Sequence, residues 1–120
     1  MTETPRRVAD STDFARVPPA SGSAWRLDSP ARDLDANIIA LTPGDTIDRH
    51  NGPALDVLIH VISGSGVLAT DDEDIALSPG AIVWLPRRTP RAFTACEHGL
   101  SYLSVHQRKP GLSIGIAPPQ

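Results

Sequence analysis

Residues 57–86 read VLIHVISGSGVLATDDEDIALSPGAIVWLP, and this stretch decides how the rest of the chain is read. Val57 to Ile62 is apolar except for His60, the pattern of a short strand covered on both faces. Ser63-Gly64-Ser65-Gly66 reads as a turn into a second run, Val67 to Thr70. The acidic segment Asp71 to Asp74 reads as a solvated hairpin tip; a calcium loop would need oxygen ligands at set intervals, and none surround it. Ile75 and Leu77 then alternate with Ala76. Ser78-Pro79-Gly80 turns the chain again, and Ala81 to Leu85 forms a strand that Pro86 stops.

The same grammar extends outward. Upstream, Leu34 to Leu41 is a strand candidate ending in the turn Thr42-Pro43-Gly44-Asp45, and Ala24 to Leu27 reads as a shorter one. Downstream, Arg91 to Thr94 and Leu100 to His106 read as an antiparallel pair joined at Glu97-His98-Gly99. Ser113 to Ile116 is a candidate edge strand. Residues 1–22 are polar and rich in Pro and Ser, which predicts a flexible N-terminal arm; residues 23–120 are expected to form one domain. No segment keeps a helical period for three turns. Short strands at regular spacing with tight turns predict an all-β barrel or sandwich, whose closure removes exposed strand edges.

Composition narrows the function classes. A chain of 120 residues supports one core. The formal net charge is −3, which gives no general attraction for nucleic acid or anionic lipid. Arg87, Arg88, Arg91, Arg108 and Lys109 make one region locally basic, a pattern that is usually a solvated face. The aromatics Phe14, Trp25, Trp84, Phe93 and Tyr102 are too few for a base-stacking platform and read mostly as core, with Trp84 at core or interface. No nucleic-acid partner is therefore expected. The apolar runs are strand-sized, so no membrane span is expected, and Arg6-Arg7 has no apolar run behind it to make a secretory signal. Cys96 is the only cysteine, which excludes an intrachain disulfide and suits a reducing cytoplasm.

Gly44 to Ala95 resembles the cupin family across its two motifs. The first runs G-x5-H-x-H-x3-4-E-x6-G. Gly44, His50 and Gly64 match it, while the second histidine position holds Gly52 and the glutamate position holds Val57, next to Asp56. The second motif runs G-x5-P-x-G-x2-H-x3-N. Gly80 and Pro86 match, while Arg88, Arg91 and Ala95 stand at the glycine, histidine and asparagine positions. The resemblance implies a cupin-type double-sheet jelly-roll barrel, often dimeric, so a homodimer is expected. It does not fix an activity, because the family spans oxygenases, isomerases, storage proteins and sensor domains.

The departures from the motif fall on the metal ligands. A metal site needs three or four convergent donors. Gly52 and Val57 offer none, and the Arg91 guanidinium is a permanent cation without a lone pair. Counted from the matched histidine position, strand alternation is expected to place Arg91 on the inner face with Phe93 beside it. A buried arginine needs partners, and Asp48 and Asp56 are the nearest candidates by position. Three outcomes are open for Arg91: an ion pair with one of these carboxylates, free donors that hold a carboxylate or phosphate on a ligand, or a side chain that snorkels to the mouth.

The leading expectation is a barrel without a metal cofactor that binds a small polar or anionic molecule through His50, Arg91, Asp48, Asp56 and Phe93. The alternative is a metal-dependent oxygenase or isomerase holding a divalent ion on relocated ligands, His50, His60, His106 and Asp48. A metal-free reaction using His50 as acid and base is a variant of the enzyme reading. The third is a dimeric sensor or interaction module. In the register set by Gly64, His60 faces outward; a one-residue bulge would reverse it and bring Asp56 inward.

Overall fold

The computed structural model describes residues 3–108. Among them the one helical element is a 3-10 turn at Ser11–Phe14, and seven strands make up the rest of the regular structure. They are β1 Gly22–Arg26, β2 Leu34–Leu41, β3 Thr46–Asn51, β4 Val57–Thr70, β5 Asp74–Leu77, β6 Ile82–Leu85 and β7 Pro90–Gln107. The all-β expectation holds. The candidate strand at 113–116 lies outside the described residues.

The architecture follows from two long strands, β4 and β7, which pair antiparallel along most of their length. Each belongs to two sheets. The first half of β4 lies between β6 and the second half of β7, which in turn carries β2 and β1. The second half of β4 lies between β5 and the first half of β7, which carries β3. One sheet therefore runs β1-β2-β7-β4-β6 and the other β3-β7-β4-β5. They face each other across a core led by Ile59, Val61, Leu68, Leu77, Leu85 and Leu100, all buried. Two facing sheets joined by shared bent strands are the jelly-roll arrangement.

Three sequence expectations are corrected. Ser63 to Gly66 is no turn: β4 continues through it, with register shifts at 61/63 and 64/66 where the strand bends from one sheet into the other. Likewise Glu97-His98-Gly99 does not join a hairpin, because Arg91 to Thr94 and Leu100 to His106 are successive parts of β7. Gly64 shows why such a bend needs glycine. Its φ is 74°, and a Cβ there would run into the Gly99 carbonyl. Third, Val57 to Ile62 is covered on one face only: Val57, Ile59 and Val61 are buried, while Leu58 and His60 are exposed.

The strand β3 has no counterpart in the sequence reading. Its residues Thr-Ile-Asp-Arg-His-Asn are nearly all polar, as suits a strand paired on one side only. The N-terminal arm lies on the outer side of the first sheet. Ser63 Oγ donates to the Phe14 carbonyl at 2.7 Å, and Pro18 is buried against Gly99.

Candidate functional site

A cavity of about 260 Å³ opens between the two sheets at one end of the barrel. Its walls are largely apolar, with Ile39, Ile47, Val57 and Ile59 among them. Phe93 and Tyr102 stack in one wall with ring centroids 4.9 Å apart and planes 8° from parallel. Among the described residues the lining includes no Asp or Glu, and Arg91 is its one permanent charge. Arg91 is 5% exposed, which is rare for a cation without a carboxylate beside it.

Local structure explains how the guanidinium comes to be there. Two loops cross at the cavity mouth. Gly52 N–H donates to the Thr89 carbonyl at 3.1 Å, and Arg88 N–H donates to the Pro53 carbonyl at 2.8 Å. The Thr89 carbonyl also accepts from Arg91 Nη1 at 3.0 Å. A Cβ built on Gly52 would fall on Arg91 Nη1 and lie 2.6 Å from Cζ. The arginine thus fills the volume that any side chain at position 52 would need. Glycine at 52 and arginine at 91 are one steric arrangement, with His50 directly opposite Arg91 in the strand pairing.

The turn supporting this arrangement is strained. Arg88 has φ 64°, the left-handed region that the glycine of the family motif would enter freely. Thr89 N–H and Oγ1 both donate to the Pro86 carbonyl, at 3.2 and 2.6 Å, and hold the turn closed.

Within the described residues Arg91 makes one side-chain hydrogen bond, to Thr89, and the Tyr102 hydroxyl makes none. Every fully enclosed side-chain nitrogen or oxygen there has a partner, so these remaining donors look into the cavity. Burial lowers the Arg91 pKa, with Tyr102 acting the other way, and the group stays protonated at neutral pH. Burial pushes the Tyr102 phenol well above its ordinary range, against the pull of Arg91, so it is a neutral donor. His50 Nδ1 donates to the Asp48 carbonyl at 2.9 Å and His106 Nδ1 to the Gln107 carbonyl at 2.8 Å, tautomers assigned from the hydrogen bonds.

Of the residues singled out in the sequence, His50, Arg91, Phe93 and His106 line this cavity. Asp48 does not, although it lies two residues from His50. A register shift between Ile47 and His50 breaks the alternation and leaves Asp48 exposed. Asp56 is exposed in the loop before β4, where its Oδ1 accepts from Arg87 N–H at 2.9 Å and sits 3.7 Å from Arg87 Nε. The ion pair between Arg91 and either carboxylate is therefore absent. No bulge shifts the start of β4: Val57 stays opposite Leu85 and His106, and His60 points outward opposite Ile82. Trp84 is not core, being 62% exposed on that outer face. Asn37, Tyr102 and Ser104 also line the cavity and were missed. Their signal was parity, since Tyr102, Ser104 and His106 alternate along one strand and Asn37 lies opposite Ser104.

The donor set does not fit a metal. The four motif positions hold His50, Gly52, Val57 and Arg91, one donor and one fixed cation. The relocated set also fails, because His60 lies on the other side of the sheet and Asp48 outside the cavity. Among the described residues no group of three His, Cys, Asp or Glu side chains is placed to hold an ion.

Comparison with known structures supports this architecture. The protein TT1209 of Thermus thermophilus shares 21% identity at a TM-score of 0.70, over 86% of this chain and 98% of that one. A conserved Streptococcus pyogenes protein of unknown function shares 24% at 0.69, over 91% and 93%. KdgF from a Halomonas species shares 21% at 0.61, over 71% and 76%. Likeness at these identities speaks for the fold alone. Comparison with curated proteins gives no match. The cupin domain family matches residues 37–106, well over half of the chain and the whole of the cavity, so the chain belongs to the cupin family.

Proposed function

We propose that this cupin barrel binds a small anionic molecule, through a carboxylate or phosphate group, at Arg91 and without a metal ion. The observation that carries the reading is a buried guanidinium that, among the described residues, has unused donors and no carboxylate partner in a cavity lined by no acidic residue. An arginine fork matches the geometry of such anions, and a recessed, largely apolar surround strengthens the contact. The Tyr102 hydroxyl supplies a second donor and the stacked Phe93–Tyr102 wall a flat apolar surface. His50 borders the mouth.

Calorimetric titration with small carboxylates and with inorganic phosphate tests this. Saturable one-to-one binding is expected for the wild type, weakened at least about a hundredfold in Arg91→Gln, the loss typical of a buried charged contact. Equal binding by the two proteins would contradict the reading, as would near-stoichiometric metal in protein purified without chelator.

A second reading concerns assembly. Leu58, Ile82 and Trp84 are 47%, 66% and 62% exposed on one outer sheet face, around His60. Leu58, His60, Ile82 and Trp84 carry no acid or fixed base, so this patch can meet its own copy without setting like charges together, and we propose that it pairs two copies as a homodimer. No helix in the described residues is long and apolar enough to cross a membrane. The exposed Cys96 thiol suits a reducing compartment such as the cytoplasm.

A further inference from the structure

The cavity adjoins a neighbouring recess, with which it shares two lining residues. Asn37 and His106, which line the cavity, also line this second, polar recess of about 300 Å³ bounded by Arg26, Leu27, Arg32 and Asp35. Strand pairing explains why the two lie side by side. Arg26 is opposite Asn37, Asn37 is opposite Ser104, and Asp35 is opposite His106, so cross-strand neighbours carry one face from the barrel interior to the β1 edge.

Charge is unevenly spread along this path. Arg32 donates from Nε and Nη2 to Asp35 Oδ1 at 3.0 and 2.8 Å, and the two neutralise each other. Arg26 has Ser23 Oγ at 3.3 Å as its side-chain partner and no carboxylate, among the described residues. The path therefore has an uncompensated arginine at each end, Arg91 inside and Arg26 outside. Asn37, Ser104 and His106 between them offer hydrogen bonds without a fixed charge.

We infer that the ligand is an elongated dianion, with one anionic group on Arg91 and the other reaching Arg26 past Asn37 and His106. This rests on the reading of Arg91 given above. It adds a specificity-determining residue, Arg26, on a strand outside the family motifs. It also excludes compact monoanions as best ligands.

The test titrates dicarboxylates from succinate to suberate beside the monocarboxylates of equal chain length. The best dicarboxylate is expected to bind the wild type about tenfold more tightly than its monocarboxylate, in line with one further charge-assisted contact. In Arg26→Gln that ratio is expected to fall to near one, while in Arg49→Gln, a surface change on β3, it persists. Equal affinity of the two series in the wild type, or a ratio that survives in Arg26→Gln, overturns this inference and leaves Arg91 as a monoanion site. If Arg91→Gln binds both series as the wild type does, or if neither series binds the wild type, the reading of Arg91 itself fails.

Discussion

The two faces of β4 treat side chains in opposite ways. On the inner face, Val57, Ile59 and Val61 are buried, and the first two line the cavity that holds the Arg91 guanidinium. On the outer face, Leu58 is half exposed and lies beside the more exposed Trp84 and Ile82. A cation is inside and a tryptophan is outside. Residue type alone would have sorted them the other way; position relative to the pleat and to the facing sheet decides instead. Each inversion then marks a surface with unfinished contacts, polar donors inside and apolar area outside.

The largest expected contrast is in stability. Leu68 is 0% exposed between the sheets, and Leu68→Ala is expected to lower the unfolding free energy by about 2–5 kcal/mol at any protein concentration. Urea unfolding at two concentrations checks it. A concentration-dependent loss would mean that the inner face is completed by another chain.

Next comes the steric fit at the mouth. Gly52→Ala sets a methyl group on Arg91 Nη1, so either the guanidinium or the loop must move. A loss of about 1–3 kcal/mol in stability, typical of overpacking, is expected together with weakened anion binding. Full anion affinity in Gly52→Ala would show that the guanidinium has room elsewhere in the cavity.

A smaller effect separates the faces by pH. Tyr102 is the only tyrosine, and burial raises its pKa in the folded chain. In the unfolded chain the phenol ionises at about pH 10. Above that pH the unfolded chain sheds a proton that the folded chain retains. Stability is therefore full below this pH and falls as pH climbs toward the raised value. Tyrosinate absorbance of the folded protein should lag well behind that of the unfolded chain, and Tyr102→Phe should flatten the alkaline loss of stability. Coincident titrations would place the phenol in water.

The smallest change in the isolated chain belongs to the outer face. Trp84→Ser is expected to leave the unfolding free energy of dilute protein within about 0.5 kcal/mol. It should also abolish any dependence of stability on concentration and reduce a dimer mass to a monomer in light scattering. A wild type that is monomeric at high concentration would leave the outer apolar face without a partner copy.

Much of the fold was legible because turns and motif spacing carry local physics. Leu34–Leu41 was read with its observed limits, and Gly44, Gly64, Gly80 and Pro86 stand where the jelly roll needs them. What misled was glycine itself, since Ser63 to Gly66 and Gly99 signal a left-handed or crowded backbone equally well in a turn and in a bent strand. His50 was readable from the motif spacing, and Arg91 and Phe93 as inward from strand parity counted from the matched histidine position. Asp48 and Asp56 were not, because a register shift within β3 and a loop contact to Arg87 decide their directions. The closeness of Gly52 and Arg91 depends on two loops crossing, which joins residues far apart in sequence.

The central claim is that the Arg91 guanidinium has donors to spare inside the barrel and receives the anion. Arginine-selective nitrogen NMR reads this directly, with the Nε–H resonance assigned through Arg91→Lys. On titration with a carboxylate that binds, the account predicts that the Arg91 resonance shifts along the binding isotherm and gains protection from solvent exchange, while Arg49 and Arg87 stay in place. An Arg91 signal that does not move while the carboxylate saturates the protein would contradict it.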